Sequence, residues 1–250
     1  MKLLFVVALF LPLAVFCQRK DSLNIHRVSV GVVYSPDYCF RFLSADPSEH
    51  TGVTIRNDYE RPKYGFTTGL NLFVRLKRRL VLETGIQYSN KGEKTKKLDW
   101  DPADPSMPVS GSYVYDYSYF DFPLSIEYSF ARMKGFRLFF LKKIMRKLPM
   151  SDVVFFVSGG ASANVFFREK RTGTFEYKDG HTSQSILYDE NFAPINYAGI
   201  GGFGITSHIT SRFQFRIEPV FRCSVIPIKN ALVSEYLYAG GINAGIYYVL

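Results

Sequence analysis

The sequence predicts an all-β protein, an eight-stranded antiparallel transmembrane up-and-down β-barrel that follows an N-terminal export signal. Three observations support this fold class. Segments of about ten residues alternate apolar with polar side chains, and the connections between them are alternately long and short. The longest apolar run lies at the N-terminus. Only helices and closed barrels satisfy every backbone group in lipid. A membrane protein with this sequence is therefore predicted to be a barrel.

The first element is a secretory signal peptide, predicted over residues 1–17. Its apolar core, Leu3–Phe16, is flanked by charged residues and is too short for a permanent helical span. We predict cleavage after Cys17, which leaves one barrel domain over residues 18–250. A lipoprotein acylated at Cys17 is the alternative, although the bulky Phe16 stands where acylation favours a small residue.

Period-two alternation defines the strands, because successive side chains of a strand point to opposite faces. The clearest segment alternates from Phe66 to Leu76, and in the fourth segment apolar residues occupy the even positions from Phe120 to Phe130 with polar or small residues between them. We assign the apolar set of each segment to lipid and the polar set to the barrel interior. The eight predicted strands are 28–34, 66–76, 80–89, 119–130, 153–167, 195–206, 213–222 and 242–250, of which the glycine-rich sixth has no assignable facing.

The connections indicate the orientation of the barrel. With both termini in the periplasm, residues 35–63, 91–113 and 168–194 form long outer loops, whereas residues 77–79 and 207–211 form tight turns. Long outer loops and short periplasmic turns are typical of outer-membrane barrels. A secreted lipocalin-like ligand binder would also show alternating strands and remains the alternative.

Three segments resemble a known family: Gly65–Lys91, Tyr119–Leu124 and the C-terminal Gly240–Tyr248. They are similar to the outer-membrane β-barrel domain family common in Bacteroidetes and often called PorT-like, which consists of small barrels of the OmpA/OmpX type. The resemblance covers nearly the whole mature chain. It implies a protein of the cell outer membrane, with a few relatives linked to secretion or gliding machinery, and it implies no particular chemistry.

Charged residues of both signs are predicted to face the lumen, as in the polar interior of a narrow barrel. Eight strands leave room for side chains and little else. A static plug of ion pairs is therefore favoured over a gated ion or solute path, although both interpretations stay open. The predicted lumenal residues are Arg75, Glu83, Asp121, Glu127, Arg216, Glu218 and Arg222.

The predicted periplasmic connection between strands four and five, residues 131–152, is long and basic. Within it Leu141, Ile144, Met145 and Leu148 share one helical face, and Lys142, Lys143, Arg146 and Lys147 share the other. We predict a short amphipathic helix that lies on the periplasmic leaflet or binds a periplasmic partner. A solvated insertion without a role is the alternative.

Candidate chemistry is sparse elsewhere in the chain. Cys39 and Cys223 lie near the outer ends of predicted strands one and seven, so a disulfide between them is geometrically feasible. The histidines lack the spacing of metal ligands, and no metal or cofactor is predicted. His181, Ser183 and Asp189 share an outer loop, but these residue types are ordinarily solvated there.

The function predicted from the sequence is a non-catalytic outer-membrane component, structural or partner-binding. Its predicted partners are outer-membrane lipid, the barrel-assembly machinery during insertion, and a periplasmic or cell-surface protein. The net charge is +9, but no nucleic-acid motif accompanies it and the export signal argues against such a partner. A small channel and a lipid-acting enzyme are the alternatives from other classes.

Overall fold

A computed structural model describes residues 28–45, 50–104, 106–136, 151–188, 192–229 and 233–250. No helix in these ranges is long and apolar enough to cross a membrane. The elements are β1 (Val28–Ala45), α1 (His50–Tyr59), β2 (Glu60–Lys77), β3 (Leu80–Thr95), β4 (Leu98–Asp99), β5 (Ser110–Phe136), β6 (Ser151–Glu176), β7 (Thr182–Leu187), β8 (Ile195–His208), β9 (Phe213–Ser224) and β10 (Val233–Val249).

Eight long strands form a closed ring of antiparallel pairs, in the order β1, β2, β3, β5, β6, β8, β9, β10. The last strand returns to the first, with Ser29 paired to Val249 at one end and Ala45 paired to Val233 at the other. Strands β4 and β7 are short additions to β5 and β6. Closure satisfies the backbone of every wall strand, as lipid requires. The predicted eight-stranded barrel is confirmed.

The wall separates apolar from polar side chains in the opposite sense to a soluble protein. On β5, Leu124 and Ile126 face outward and are 54% and 53% exposed, whereas Ser125 and Glu127 face inward and are 4% and 5% exposed. Exposing apolar chains while burying charged ones is favourable only when the outer wall meets lipid. This distribution argues against the secreted lipocalin-like alternative.

Prolines interrupt the strand ladders at three places. Beside Pro36 the pairing of β1 with β10 jumps from Tyr34 to Asp37. Similar gaps stand beside Pro123 in the β3–β5 pair and beside Pro219 in the β8–β9 pair. Proline has no N–H to donate to a ladder. Each of these prolines remains paired with the neighbouring strand on its other side, so the wall stays continuous.

The strands extend well beyond the lengths predicted from the sequence. Strand β1 continues to Ala45, β5 begins at Ser110, and β6 runs to Glu176, so about half of the predicted outer loops 35–63, 91–113 and 168–194 is strand. The predicted bounds were wrong on β3 and β5 because the outward residues become polar above Tyr88 and Phe120 while the hydrogen-bonded pairs continue. On β1 the outward residues stay apolar as far as Phe42, so the alternation itself extends beyond the predicted end at Tyr34. Alternate-spaced Tyr113, Tyr115, Tyr117 and Tyr119 all belong to β5, which extends above the apolar band.

Two predicted segments lie outside the described residues. These are the signal peptide, residues 1–17, and the amphipathic helix over Leu141–Leu148. The flanks of the basic connection are described, and they are strand: β5 reaches Phe136 and β6 starts at Ser151. The predicted connection 131–152 is therefore shorter than expected, because the β5–β6 ladder continues past the apolar band.

Candidate functional site

The interior of the barrel is filled by layers of buried charge. In the layer closest to the tight turns, Arg216 faces three carboxylates: it pairs with Glu127, lies 3.1 Å from Glu218 and lies 3.7 Å from Glu83. Its guanidinium also stacks 3.8 Å from the centre of the Phe156 ring. Neutral donors supply further hydrogen bonds to the carboxylates, from Asn71, Ser125, Ser158 and Asn243.

The middle layer is centred on Arg222. Its guanidinium donates to Asp37 at 3.0 Å and to the Asn243 side chain at 2.6 Å. Asp37 also accepts hydrogen bonds from Ser35 and Thr67, at 2.7 and 2.5 Å. Across the lumen, Lys91 pairs with Asp121 at 2.9 Å. These charges are almost fully buried, and each has an oppositely charged partner, as burial demands.

The third layer, at the loop end of the barrel, is built around Arg41. Its guanidinium contacts Glu60, Glu93 at 3.1 Å and Glu235 at 2.8 Å, and it donates to the Tyr117 hydroxyl at 3.1 Å. Arg56 of α1 adds a second cation, 2.8 Å from Glu235. The helix thus joins the loop-end layer through a charged side chain.

Glu93 of this layer lies beyond the apolar band, because the outward residues of β3 become polar after Tyr88. Burial raises the pKa of Glu93 to about 7, although the neighbouring Arg41 opposes the shift. The Tyr117 hydroxyl donates to Glu93 at 2.9 Å, and burial raises the pKa of Tyr117 well above its usual value. The loop-end layer therefore contains a carboxyl group that titrates near neutral pH.

The predicted lumenal residues divide into two groups. Six of them are buried inside the barrel: Glu83, Asp121, Glu127, Arg216, Glu218 and Arg222. Arg75 differs, because it is exposed and makes no ion pair with the described residues. The register explains the difference: Phe73 pairs with Glu83, which places Arg75 beyond the last charged layer, at the mouth of the turn end.

Sequence reasoning missed most of the loop-end layer. Arg41, Glu60, Glu93 and Glu235 fell in predicted loops or between predicted strands, so no facing was assigned to them. The signal was present, since Asp37, Cys39 and Arg41 continue the inward alternation of β1 with a polar or small residue at each odd position. On the outward side Tyr38, Phe40 and Phe42 are apolar, so the alternation of β1 extends past the predicted end of the strand on both faces.

Cys39 and Cys223 are free thiols, and the disulfide considered from the sequence is not formed between them. Cys39 lies on the buried, inward side of β1, while Cys223 pairs with the outward Tyr238 on β10. Paired residues of neighbouring strands point to the same face. The two sulfur atoms therefore lie on opposite sides of the wall, which a disulfide could not bridge without backbone movement.

A cavity of about 660 Å³ opens above the Arg41 layer at the loop end. Two aromatic rings on its wall carry cations: Arg171 lies 4.9 Å from the centre of the Tyr115 ring, and Lys229 lies 5.1 Å from that of Phe192. Glu169 lines the same cavity and lies 3.5 Å from Arg171. Because the charged layers close its floor, the cavity is a blind cup. We call it the loop-end cup.

A much smaller cavity, about 70 Å³, lies at the turn end. It is lined by residues of both charge signs, including Arg75, Glu127, His208 and Arg216. The Arg216 and Arg222 layers stand between this cavity and the loop-end cup. The described side chains thus separate the two ends of the lumen.

Residues considered for catalysis do not form a relay in the described part of the chain. The Nδ1 atom of His181 lies 2.6 Å from Asp179, and its ring stacks on Tyr177. The Ser183 hydroxyl instead donates to Tyr177 at 3.4 Å, and Asp189 lies outside the described residues. Within the described ranges, no group of three or more His, Cys, Asp or Glu side chains could hold a metal ion.

An apolar outer wall around a charged, filled interior defines a small outer-membrane β-barrel. The chain belongs to the outer membrane protein beta-barrel domain family, whose sequence model matches residues 18–144. Membership of this family implies that the protein resides in the outer membrane. The comparison with curated proteins finds no match.

Solved structures with a similar fold include three outer-membrane proteins. Neisserial surface protein A is 10% identical, with a TM-score of 0.44, over 89% of this chain and 97% of that one. The outer membrane protease OmpT from Escherichia coli is 9% identical, with a TM-score of 0.43, over 93% and 99%. The attachment invasion locus protein Ail of Yersinia pestis is 10% identical, with a TM-score of 0.31, over 88% and 97%.

Proposed function

We propose that the protein is a non-conducting, non-catalytic component of the outer membrane that binds a partner at its loop end. One observation carries the proposal. The lumen is blocked by paired charges, whereas a large cavity lined by charged and aromatic side chains opens at the loop end. The molecule thus offers a surface for binding and no path for transport.

The blocked lumen supports a static plug over a gated channel. An open path would require Arg216, Arg222 and Arg41 to leave their carboxylate partners. Breaking a buried pair by removing one partner costs about 3–5 kcal/mol. Opening several such layers at once is therefore strongly unfavourable without an external energy source.

The loop-end cup supports partner binding. Concave sites with an aromatic wall and a few placed polar groups are the usual binding sites of proteins. Four of the charged residues that line the cup are cations and two are acids, an excess of positive charge that suits an acidic side chain of a partner protein. We therefore propose a cell-surface protein as the partner, bound through a carboxylate in the cup.

The proposal includes an orientation with both termini in the periplasm, supported by the tight turns after β2 and β8. It also includes contact with outer-membrane lipid, insertion by the barrel-assembly machinery, and a periplasmic role for the basic segment over 141–148. We retain the PorT-like branch from Bacteroidetes as the finer family assignment. The motifs within Gly65–Lys91 and Tyr119–Leu124 support it.

Fractionation of the native host tests the location, and a heat-modifiability gel of the outer-membrane fraction tests the folded barrel. Planar-bilayer recordings then test the plug, with no conductance expected. Discrete conductance steps would favour the small channel instead. Altered lipid A in an overexpressing strain would favour the lipid-acting enzyme.

Surface crosslinking tests partner binding. We expect a crosslinked protein that is lost in Arg171→Gln, because this change removes the cation above Tyr115. Arg61→Gln, an exposed loop-end position outside the cup, is the matched control and should retain the adduct. An adduct that both variants keep would show that the cup is not the binding site.

A further inference from the structure

The exposed charged side chains of the described turn end are all positive, whereas those of the loop end are of both signs. Lys77, Arg78 and Arg79 lie in and beside the turn between β2 and β3, and Arg212 lies in the turn between β8 and β9. All four are exposed, and none contacts an acidic side chain among the described residues. We call these four residues the basic turn set.

The charge of the loop end is organised differently. Several cations there are paired with acids: Lys97 lies 2.6 Å from Glu176, and Lys63 pairs with Asp116. At the turn end, the half-buried acid Asp152 is already bound to Arg132 at 2.6 Å. The basic turn set therefore presents an excess positive charge that the described side chains do not neutralise.

Two arginines of the set are held at the level of the membrane surface. Arg79 donates to the hydroxyl of Tyr128 at 3.4 Å, and Arg212 donates to that of Tyr248 at 3.2 Å. Both tyrosines lie on the outward, lipid-facing side of the wall, and Tyr248 packs edge-on against Phe213. Such tyrosines mark the height of the lipid headgroups. The two guanidinium groups therefore lie at headgroup depth.

The basic turns lie on opposite sides of the barrel. In the ring, β5 and β6 separate them along one way around, and β1 and β10 separate them along the other. A lipid leaflet surrounds the barrel and meets both turns at once. The distribution of charge therefore favours lipid as the occupant.

We infer that the basic turn set binds the phosphate groups of an anionic phospholipid, of the phosphatidylglycerol class, in the leaflet at the turn end. Arginine forms paired hydrogen bonds with phosphate oxygens, and a basic residue near an anionic leaflet is attracted to it. The identity of that leaflet as the periplasmic one rests on the proposed orientation.

The test uses the full mature chain in nanodiscs of phosphatidylcholine and phosphatidylglycerol. Mild-detergent extraction followed by mass spectrometry gives the ratio of the two lipids retained by the protein. We expect enrichment of phosphatidylglycerol that falls at least about tenfold in the variant R78Q/R79Q/R212Q and that weakens with added salt. A heat-modifiability gel checks that the variant is folded.

The matched control is R61Q/K94Q/K96Q, which removes the same charge from exposed positions at the loop end. It should retain the enrichment. An unchanged ratio in the turn-end variant, or an equal loss in the control, would overturn the inference. Should the triple variant fail to fold, the single variants R212Q and R78Q replace it, each with a partial loss expected.

The lipid ratio is independent of the proposed function. Conductance in bilayers would refute the plugged barrel, and partner binding that survives every change in the cup would refute the cup as the binding site. Neither result would change the ratio of the retained lipids. Conversely, equal retention of both lipids would refute the phosphate-binding surface and leave the loop-end cup untouched.

Discussion

Arg222 and Asp37 lie 185 residues apart in the chain, and their side chains meet at 3.0 Å inside the barrel. The pair joins β9 to β1 across β10, which stands between them in the ring. Asn243 of β10 accepts a second hydrogen bond from the same guanidinium. One arginine thus connects three neighbouring strands at the place where the barrel closes.

Removal of Arg222 should destabilise the barrel strongly. Arg222→Met leaves the Asp37 carboxylate buried without its cation, and we expect a loss of about 3–5 kcal/mol in the free energy of unfolding. Urea titration in lipid vesicles, followed by the change in tryptophan fluorescence, measures it. The double variant R222M/D37N should recover a large part of the loss. Additive losses would show that the two side chains do not interact.

Gly241 and Gly240 provide a matched pair for the packing of the wall. A Cβ atom at Gly241 would overlap the Asp37 carboxylate and stand 2.6 Å from the Ser35 hydroxyl, whereas one at Gly240 meets nothing within 4 Å. We expect Gly241→Ala to lower the free energy of unfolding by about 1–3 kcal/mol, which a lower urea midpoint would show. Gly240→Ala should be close to neutral, and equal effects of the two changes would contradict the assigned facing.

Glu93 should make stability depend on pH. Its pKa is raised to about 7 in the folded protein, so the folded state holds more protons than the unfolded state between about pH 4.5 and 7. The free energy of unfolding should therefore fall as the pH rises through this range, by an amount on the order of 3 kcal/mol for a fully buried group.

Glu93→Gln provides the measurement, since glutamine keeps the shape and cannot ionise. The difference in urea midpoint between pH 5 and pH 8 should be smaller in this variant than in the wild type. The control is Glu176→Gln, because Lys97 holds the pKa of Glu176 below its usual value instead of raising it. If the stability of the wild type rose from pH 5 to pH 8, and that of E93Q rose by the same amount, the assignment of this pH dependence to Glu93 would be wrong.

The two thiols should react differently in the folded protein. Cys39 is fully buried on the inward side and should resist maleimide, whereas Cys223 on the outward side should accept a membrane-soluble maleimide. The single variants C39S and C223S assign the labelled site by mass spectrometry. A reduction-sensitive gel shift that disappears in C223S would instead reveal a disulfide.

The sequence predicted the wall better than the ends. Outward apolar residues such as Leu124 and Ile126 repeat every second position, so the strands inside lipid and the facing of Glu127 followed from periodicity alone. The outward side of β5 above Phe120 carries Ser118 and Asp116, because it meets water, and the same periodicity loses its apolar signal there. The sequence therefore predicted loops where the strands continue.

The charged layers were predicted as a set of residue types and not as pairs. Glu83, Glu127 and Arg216 were assigned to the lumen by their facing, but their partners depend on the stagger of strands around the ring. The pairing of Arg75 with Val81, beyond the Phe73–Glu83 pair, already places Arg75 at the mouth of the turn end and outside the charged layers. Alternation gives the face of a side chain, whereas its height along the barrel is set by pairing with strands distant in sequence.

Ion pairs between strands that are distant in sequence also constrain the order of folding. Arg41 reaches Glu235 over 194 residues, and Arg222 reaches Asp37 over 185. Before the ring closes at β1 and β10, Glu235 lacks Arg41 and Arg222 lacks Asp37, so a partly inserted chain would leave these charges in a low-dielectric environment without those partners. Contacts of such large sequence separation form slowly. The last strand should therefore associate in a cooperative, rate-limiting step, and truncation of β10 should abolish the folded barrel instead of leaving a seven-stranded intermediate.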